Sequence, residues 1–297
     1  MPLALTLTLL PSFALVSMMN SPISAPESLN EKLAGISKLA LTQFKGLKED
    51  DFAITVIELK GGKMESGSYR GSSLFYPASV VKMFYMAYAK ELLEKGKIES
   101  NPELERAMTD MIKESVNDAT GLVLETITGT TGGPALGESD LKVWMRKRQA
   151  VNEWLYSLGY KDINCSQKTW NEGPYGRERQ GYGPNFELRN SLNTDSCARM
   201  IFDIVNDKVV TPGRCSEMRE LLKRSAGNKD DGQSNYFGAS LPKGTEFFSK
   251  AGWTSTVRHD VAYVKLAERQ LAVSVFTKFE VGKPDLIRFL SDSILKM

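Results

Sequence analysis

Apolar residues recur at helical spacing from Glu27 to Phe44, where Leu29, Leu33, Ile36, Leu39, Leu41 and Phe44 fall in register and Ser28 and Asn30 supply start signals. The period then changes. Phe52 to Leu59 is a short run rich in Ile and Val, Gly61-Gly62 supplies a turn, and a second stretch ends near Phe75, so a hairpin is predicted. The middle of the chain is nearly all helix in its patterning. Ser79 to Lys95, Pro102 to Glu114, Asn117 to Thr128, Ser139 to Leu158, Thr194 to Asn206 and Gly213 to Arg224 carry it, separated by Gly, Pro or Asn. Strand-like runs return at Glu246 to Lys250, Asp260 to Leu266 and Leu271 to Lys278, and a helical pattern closes the chain from Pro284 to Leu295.

A sheet must bury a face, and neither end of the chain carries enough strands to make one alone. The pattern therefore predicts an α+β fold, with one antiparallel sheet assembled from both chain ends, flanked by helices, and an all-helical domain inserted between its halves. The expected boundaries are 26–76 and 225–297 for the sheet domain and 77–224 for the helical one. A seam between two such bodies is where a ligand would bind.

Composition narrows the chemistry. The 297 residues carry 38 Lys plus Arg against 36 Asp plus Glu, a formal charge of +2, so no electrostatic case exists for nucleic acid or an anionic membrane as partner. His259 is the single histidine, which argues against a metal site, and no phosphate-cradling glycine loop occurs, so neither metal nor cofactor is implied. The three cysteines, Cys165, Cys197 and Cys215, lack the short paired spacing of a zinc or redox site, and one disulfide among them is possible without being required. Residues 1–25 are apolar and then small and polar, which resembles a secretory signal and predicts an exported, periplasmic or secreted protein, although the stretch lacks the usual basic start. No later stretch is long and apolar enough to span a membrane. The expected ligand is a small molecule and the expected state a monomer.

Tyr76-Pro77-Ala78-Ser79-Val80-Val81-Lys82 places a proline just before an apolar run, so a helix should start close to Ser79. Residues three apart on a helix are rotated by about 300°, so the Ser79 hydroxyl and the Lys82 amine share a face. Amide donors at a helix start favour an alkoxide and an oxyanion, and a buried lysine near a second cation can be neutral enough to accept the serine proton. Ser240-Leu-Pro-Lys243 and Ser293-Ile-Leu-Lys296 match the same S-x-x-K spacing, but Pro242 disrupts the helix in one and the other lies at the end of the chain. Ser115-Val116-Asn117 falls between two helical stretches, as a hydroxyl and a carboxamide facing the seam; Ser28-Leu-Asn30 and Ser191-Leu-Asn193 share its spacing and suit helix caps. Lys250-Ala251-Gly252 lies on a strand pattern, whereas its rival Lys60-Gly61-Gly62 is a hairpin turn.

In this order, S-x-x-K, S-x-N and K-x-G, on helix, loop and strand, the chain resembles class A β-lactamases and penicillin-binding proteins across most of residues 27 to 297. The resemblance implies that Ser79 is the acylated nucleophile with its oxygen within bonding distance of the amines of Lys82 and Lys250. It implies that Ser115 relays protons and that Asn117 contacts the substrate amide. The backbone amides of Ser79 and Trp253 would hold the oxyanion, with Gly252 and the Trp253 side chain lining the pocket. The implied activity is β-lactamase-like hydrolysis of a β-lactam or related acyl amide. The alternatives are a penicillin-binding DD-peptidase, an esterase-like relative, or a non-catalytic protein that binds a cell-wall fragment or peptide.

The departures are specific. Val116 stands where lactamases usually carry Asp, and Ala251 where a Thr or Ser hydroxyl helps hold the substrate carboxylate; Thr254, Ser255 or Arg258 would have to substitute. The loop from Cys165 to Asn193 offers Glu172, Glu178 and Glu187, none with the family's Glu-then-Asn spacing, and Glu187 ranks first as the residue that activates the deacylating water. The basic run Arg146-Lys147-Arg148 and the cluster Arg177-Glu178-Arg179 read as solvated surface.

Overall fold

Glu31 N–H donates to Ser28 Oγ while the Glu31 carboxylate accepts from Ser28 N–H, and this reciprocal cap starts α1 (Leu29–Gln43) one residue after the predicted signal. In the computed structural model, which describes residues 27–227, 236–279 and 285–297, the hairpin follows as β1 (Phe52–Lys60) and β2 (Lys63–Tyr69). The signal peptide expected over residues 1–25 lies outside the described residues. β2 ends six residues short of Phe75 because Arg70 takes a left-handed conformation at φ 55°; Phe75 instead forms an isolated bridge with Leu192.

The helical block runs α2 (Val81–Glu94), α3 (Pro102–Thr109), α4 (Asn117–Thr128), α5 (Glu138–Arg148), α6 (Ala150–Ser157), α7 (Gly176–Gly181), α8 (Thr194–Val205) and α9 (Pro212–Leu222). The single helix predicted from Ser139 to Leu158 is two helices that meet at Gln149. The chain then returns as β3 (Glu246–Trp253), β4 (Arg258–Lys265) and β5 (Arg269–Thr277) and closes with α10 (Asp285–Leu295). The sheet is antiparallel throughout, in the order β2-β1-β5-β4-β3, so strands from the two ends of the chain meet at the β1–β5 pair.

Two cores cover the two faces of this sheet. Leu33, Ile36, Leu286, Ile287 and Leu290 from the terminal helices pack on Phe52, Ile54, Phe247 and Val273, while Val81, Phe84, Ile201 and Phe202 from the helical block pack on Ala53, Phe248, Val261 and Phe276. Side chains alternate along a strand, so Phe248, Lys250 and Gly252 face the helical block while Phe247 and Ala251 face away from it. α2 is apolar nearly all round, and from Val81 to Ala87 every residue is buried, which fixes its start within the interior. The three cysteines are buried and unpaired.

The segment from Cys165 to Asn193 is held down by polar contacts that the charge pattern did not reveal. Arg148, read above as surface, is fully buried because it turns away from its basic neighbours, donates to Glu178 Oε1 (2.6 Å) and Thr130 Oγ1 (2.7 Å), and lies over the Trp144 ring. Glu178, also read as surface, is 2% exposed and meets Lys168 Nζ at 3.1 Å; Lys168 in turn reaches Glu125 Oε1 of α4 at 2.6 Å. The Asn190 carboxamide staples the far end, with Oδ1 accepting from Ser166 and Gln167 N–H and Nδ2 donating to Gln167 O. Removing one partner of a buried ion pair strands the other, so Glu178→Gln should lower the unfolding free energy by about 3 kcal/mol. Denaturant unfolding checks this, and a loss below about 0.5 kcal/mol, the scale of surface substitutions, contradicts it.

Candidate active site

Pro77 fixes its own φ and offers no N–H, and after it Ala78 adopts φ 47°, a sparsely populated conformation for a residue with a side chain. Ser79 follows in a single 3-10 turn (Ala78–Val80) that leads directly into α2, and it is half-buried. β3 lies against this turn. A Cβ on Gly252 would stand 2.8 Å from both Pro77 O and Ser79 N, so glycine here is a requirement of the close approach that sets β3 beside Ser79.

Lys82, in the first turn of α2, has no exposed surface, and burial pushes its amine down to about 7. Its Nζ donates to Ser115 O (2.6 Å), to Asn117 Oδ1 (2.8 Å) and to Ser115 Oγ (3.3 Å). Ser115 can offer both oxygens because the π-helical turn Asp110–Glu114 ends on it in a left-handed conformation, φ 61°, which tips its carbonyl back toward α2. From the opposite side Lys250 Nζ, equally buried, donates to Ser115 Oγ (3.0 Å) and to Ala251 O (3.0 Å).

The oxygen shared by the two amines is therefore that of Ser115. The resemblance implies this place for Ser79, but among the described residues neither amine hydrogen-bonds the Ser79 oxygen. A hydroxyl that accepts from two amines has both lone pairs engaged and one proton left to give, which suits it to pass protons between them and a bound ligand.

Asn117 spans the site. Its Oδ1 accepts from Lys82, and its Nδ2 donates to Asn171 Oδ1 at 2.7 Å, so the long loop reaches the site through a second carboxamide. Asn171, a lone asparagine between Trp170 and Glu172, carries no spacing signal in the sequence that would mark it. Glu187, ranked first in the sequence as the water-activating carboxylate, is exposed, and its Oε2 turns back on its own loop to accept from Asn185 N–H (2.8 Å). Among the described residues, no carboxylate hydrogen-bonds Lys82, Ser115 or Asn117, and no cluster of side chains is arranged to hold a metal ion.

The end of β3 forms the rim. Trp253 is half-exposed and meets Tyr236 edge-on at 6.4 Å, and Arg258, its ladder partner on β4, donates to the Tyr236 hydroxyl at 2.9 Å. Thr254 Oγ1 is occupied in the hairpin tip, accepting from Thr256 N–H and Val257 N–H.

The sequence matches the profile of the beta-lactamase enzyme family over residues 99–297. Its fold matches that of a β-lactamase from Sphaerobacter thermophilus (18% identity, TM-score 0.63, covering 89% of this chain and 96% of that one). It also matches a class A β-lactamase from Mycobacterium abscessus (13%, 0.63, 89% and 98%). A third match is a mutant of PBP-A solved as an acyl-enzyme with penicillin G (16%, 0.64, 91% and 97%). No curated protein matches the chain.

The expectation that Lys82 takes the Ser79 proton has a testable consequence. An amine whose ordinary value is lowered to about 7 is protonated below that pH and free to take a proton above it. Labelling of Ser79 by a fluorophosphonate should therefore rise as pH increases through about 7 and level off above it. A rate that is flat from pH 5 to 9, or that persists unchanged in Lys82→Arg, contradicts this role.

Proposed function

The chain belongs to the beta-lactamase enzyme family, and from that premise we propose that it is a serine hydrolase acting through an acyl-enzyme on Ser79. The observation that carries the reading is the single hydroxyl of Ser115 hydrogen-bonded to both buried amines, Lys82 and Lys250. Neutral Lys82 takes the Ser79 proton, Ser79 Oγ bonds to the acyl carbon, the amide C–N bond breaks, and the proton travels through Ser115 to the leaving nitrogen. Burial keeps Lys82 from holding its proton, and Lys250 supplies a positive charge that attracts an anionic substrate. The amides of Ser79 and Trp253 hold the oxyanion, an assignment supported by the contact of Gly252 with the Ser79 turn. The substrate class is a β-lactam or a related acyl-peptide, with Gly252 and Trp253 lining the pocket and Arg258 and Thr254 on its rim. The apolar first 25 residues support an exported protein.

One observation favours slow release of the acyl group, the behaviour of a penicillin-binding protein, over rapid turnover. The loop residue in contact with Asn117 is Asn171, and a carboxamide has no basic oxygen to take a proton from water. Intact mass after exposure to penicillin should show one stable adduct on the parent and none on Ser79→Ala; an adduct on both variants, or on neither, overturns the nucleophile. Asn171→Asp keeps the shape and the contact with Asn117 while adding a base, and release of the acyl group should accelerate on the order of 10²-fold. An unchanged adduct lifetime in that variant contradicts the role given to Asn171.

A further inference from the structure

Backbone groups engage both ring nitrogens of the single histidine, and one of them belongs to the segment that carries Ser79. His259 is fully buried on β4, its ring stacked on Phe276 (centroids 4.1 Å, 23°) and edge-on to Phe75 (6.1 Å, 79°). Thr277 N–H points at Nδ1 from 3.2 Å, so Nδ1 must present its lone pair. The ring proton then belongs on Nε2, which stands 2.9 Å from Tyr76 O and donates to it. Burial keeps the ring neutral, pushing it down to about 4.

Tyr76 O lies three residues before Ser79 in a segment with few bonds of its own. Phe75 is tied to Leu192 by a pair of main-chain bonds and Val80 N–H closes on Pro77 O at 3.1 Å; between them Pro77 has no donor and Ala78 sits at φ 47°. His259 is also the ladder partner of Gly252, whose Cα faces Pro77 O and Ser79 N. One rung of the sheet therefore grips the nucleophile's turn at two points, through the imidazole of His259 and through the bare backbone of Gly252. The two amides given to the oxyanion belong to different segments, Ser79 to the turn and Trp253 to β3, so their spacing depends on this grip.

We propose that His259 is a positioning residue: its Nε2–H tautomer clamps Tyr76 O to the sheet and so sets the distance between the two oxyanion donors. This rests on the acyl-transfer reading for its effect on rate, and on geometry alone for the clamp. In His259→Phe the ring cage stays filled and the donor is lost; in His259→Gln the side-chain amide can still reach Tyr76 O. Penicillin acylation of His259→Phe should slow on the order of 10²-fold, the cost of a misplacement of about 1 Å, with the affinity of the non-covalent complex unchanged and with faster hydrogen exchange over residues 76–82. His259→Gln should recover most of the rate and the protection. Parent-like acylation and exchange in His259→Phe overturn the proposal, as does equal loss in both variants in step with falling thermal stability, which would mean packing alone. If the parent takes no penicillin, the acyl-transfer reading fails while the clamp is still decided, because exchange and the nitrogen NMR spectrum of the imidazole, expected to show Nε2–H and overturned by Nδ1–H, need no substrate.

Discussion

Burying two amines against one hydroxyl is the constraint on which the molecule is organised. A cation taken from water costs several kcal/mol unless its donors are satisfied, and Lys82 and Lys250 are both removed from solvent completely. Ser115 meets part of the cost by giving both its oxygens, beside Asn117 Oδ1 for Lys82 and Ala251 O for Lys250, and the left-handed residue that ends the preceding π-helical turn lets it do so. Three elements distant in sequence must then converge: the start of α2, the turn before α4 and the end of β3. The antiparallel sheet places β3 at an edge, where Lys250 and Gly252 face the helical block, and the apolar sheath around α2 fixes where its first turn lies.

The long loop obeys the same rule with opposite charges. Arg148, Glu178, Lys168 and Glu125 form a chain of contacts from the interior to the surface of the helical block, and this chain anchors the loop three residues before Asn171. The loop thus delivers a carboxamide to the site on a rigid base. That a neutral group is delivered there bears on chemistry more than on stability, since Asn117 would accept an aspartate in the same contact.

Much of this was legible in the chain. The change of period at Phe52 and again at Glu246 marks the strands that build the shared sheet, and the joint order of three short motifs located Ser79, Lys82, Ser115, Asn117 and Lys250, of which all but Ser79 are joined by hydrogen bonds. What could not be read depends on tertiary pairing. Spacing brings Ser79 and Lys82 to one face, but which oxygen the amines share is decided by the backbone conformation at Ser115, a single φ angle with no sequence signature. Arg148 and Glu178 sit among charges that look solvated, and only their mutual burial shows otherwise. Asn171 and the reach of His259 to Tyr76 O are likewise contacts between segments far apart in the chain.

The proposed acyl transfer requires buried Lys82 to be an amine able to be neutral near physiological pH. Carbon NMR of the protein labelled at lysine Cε, followed from pH 5 to 11 with Lys82→Arg to assign the signal, measures this directly. One lysine resonance, lost in Lys82→Arg, should titrate at about 7. A Lys82 resonance that stays in its charged form until pH 10, like an ordinary surface lysine, contradicts it.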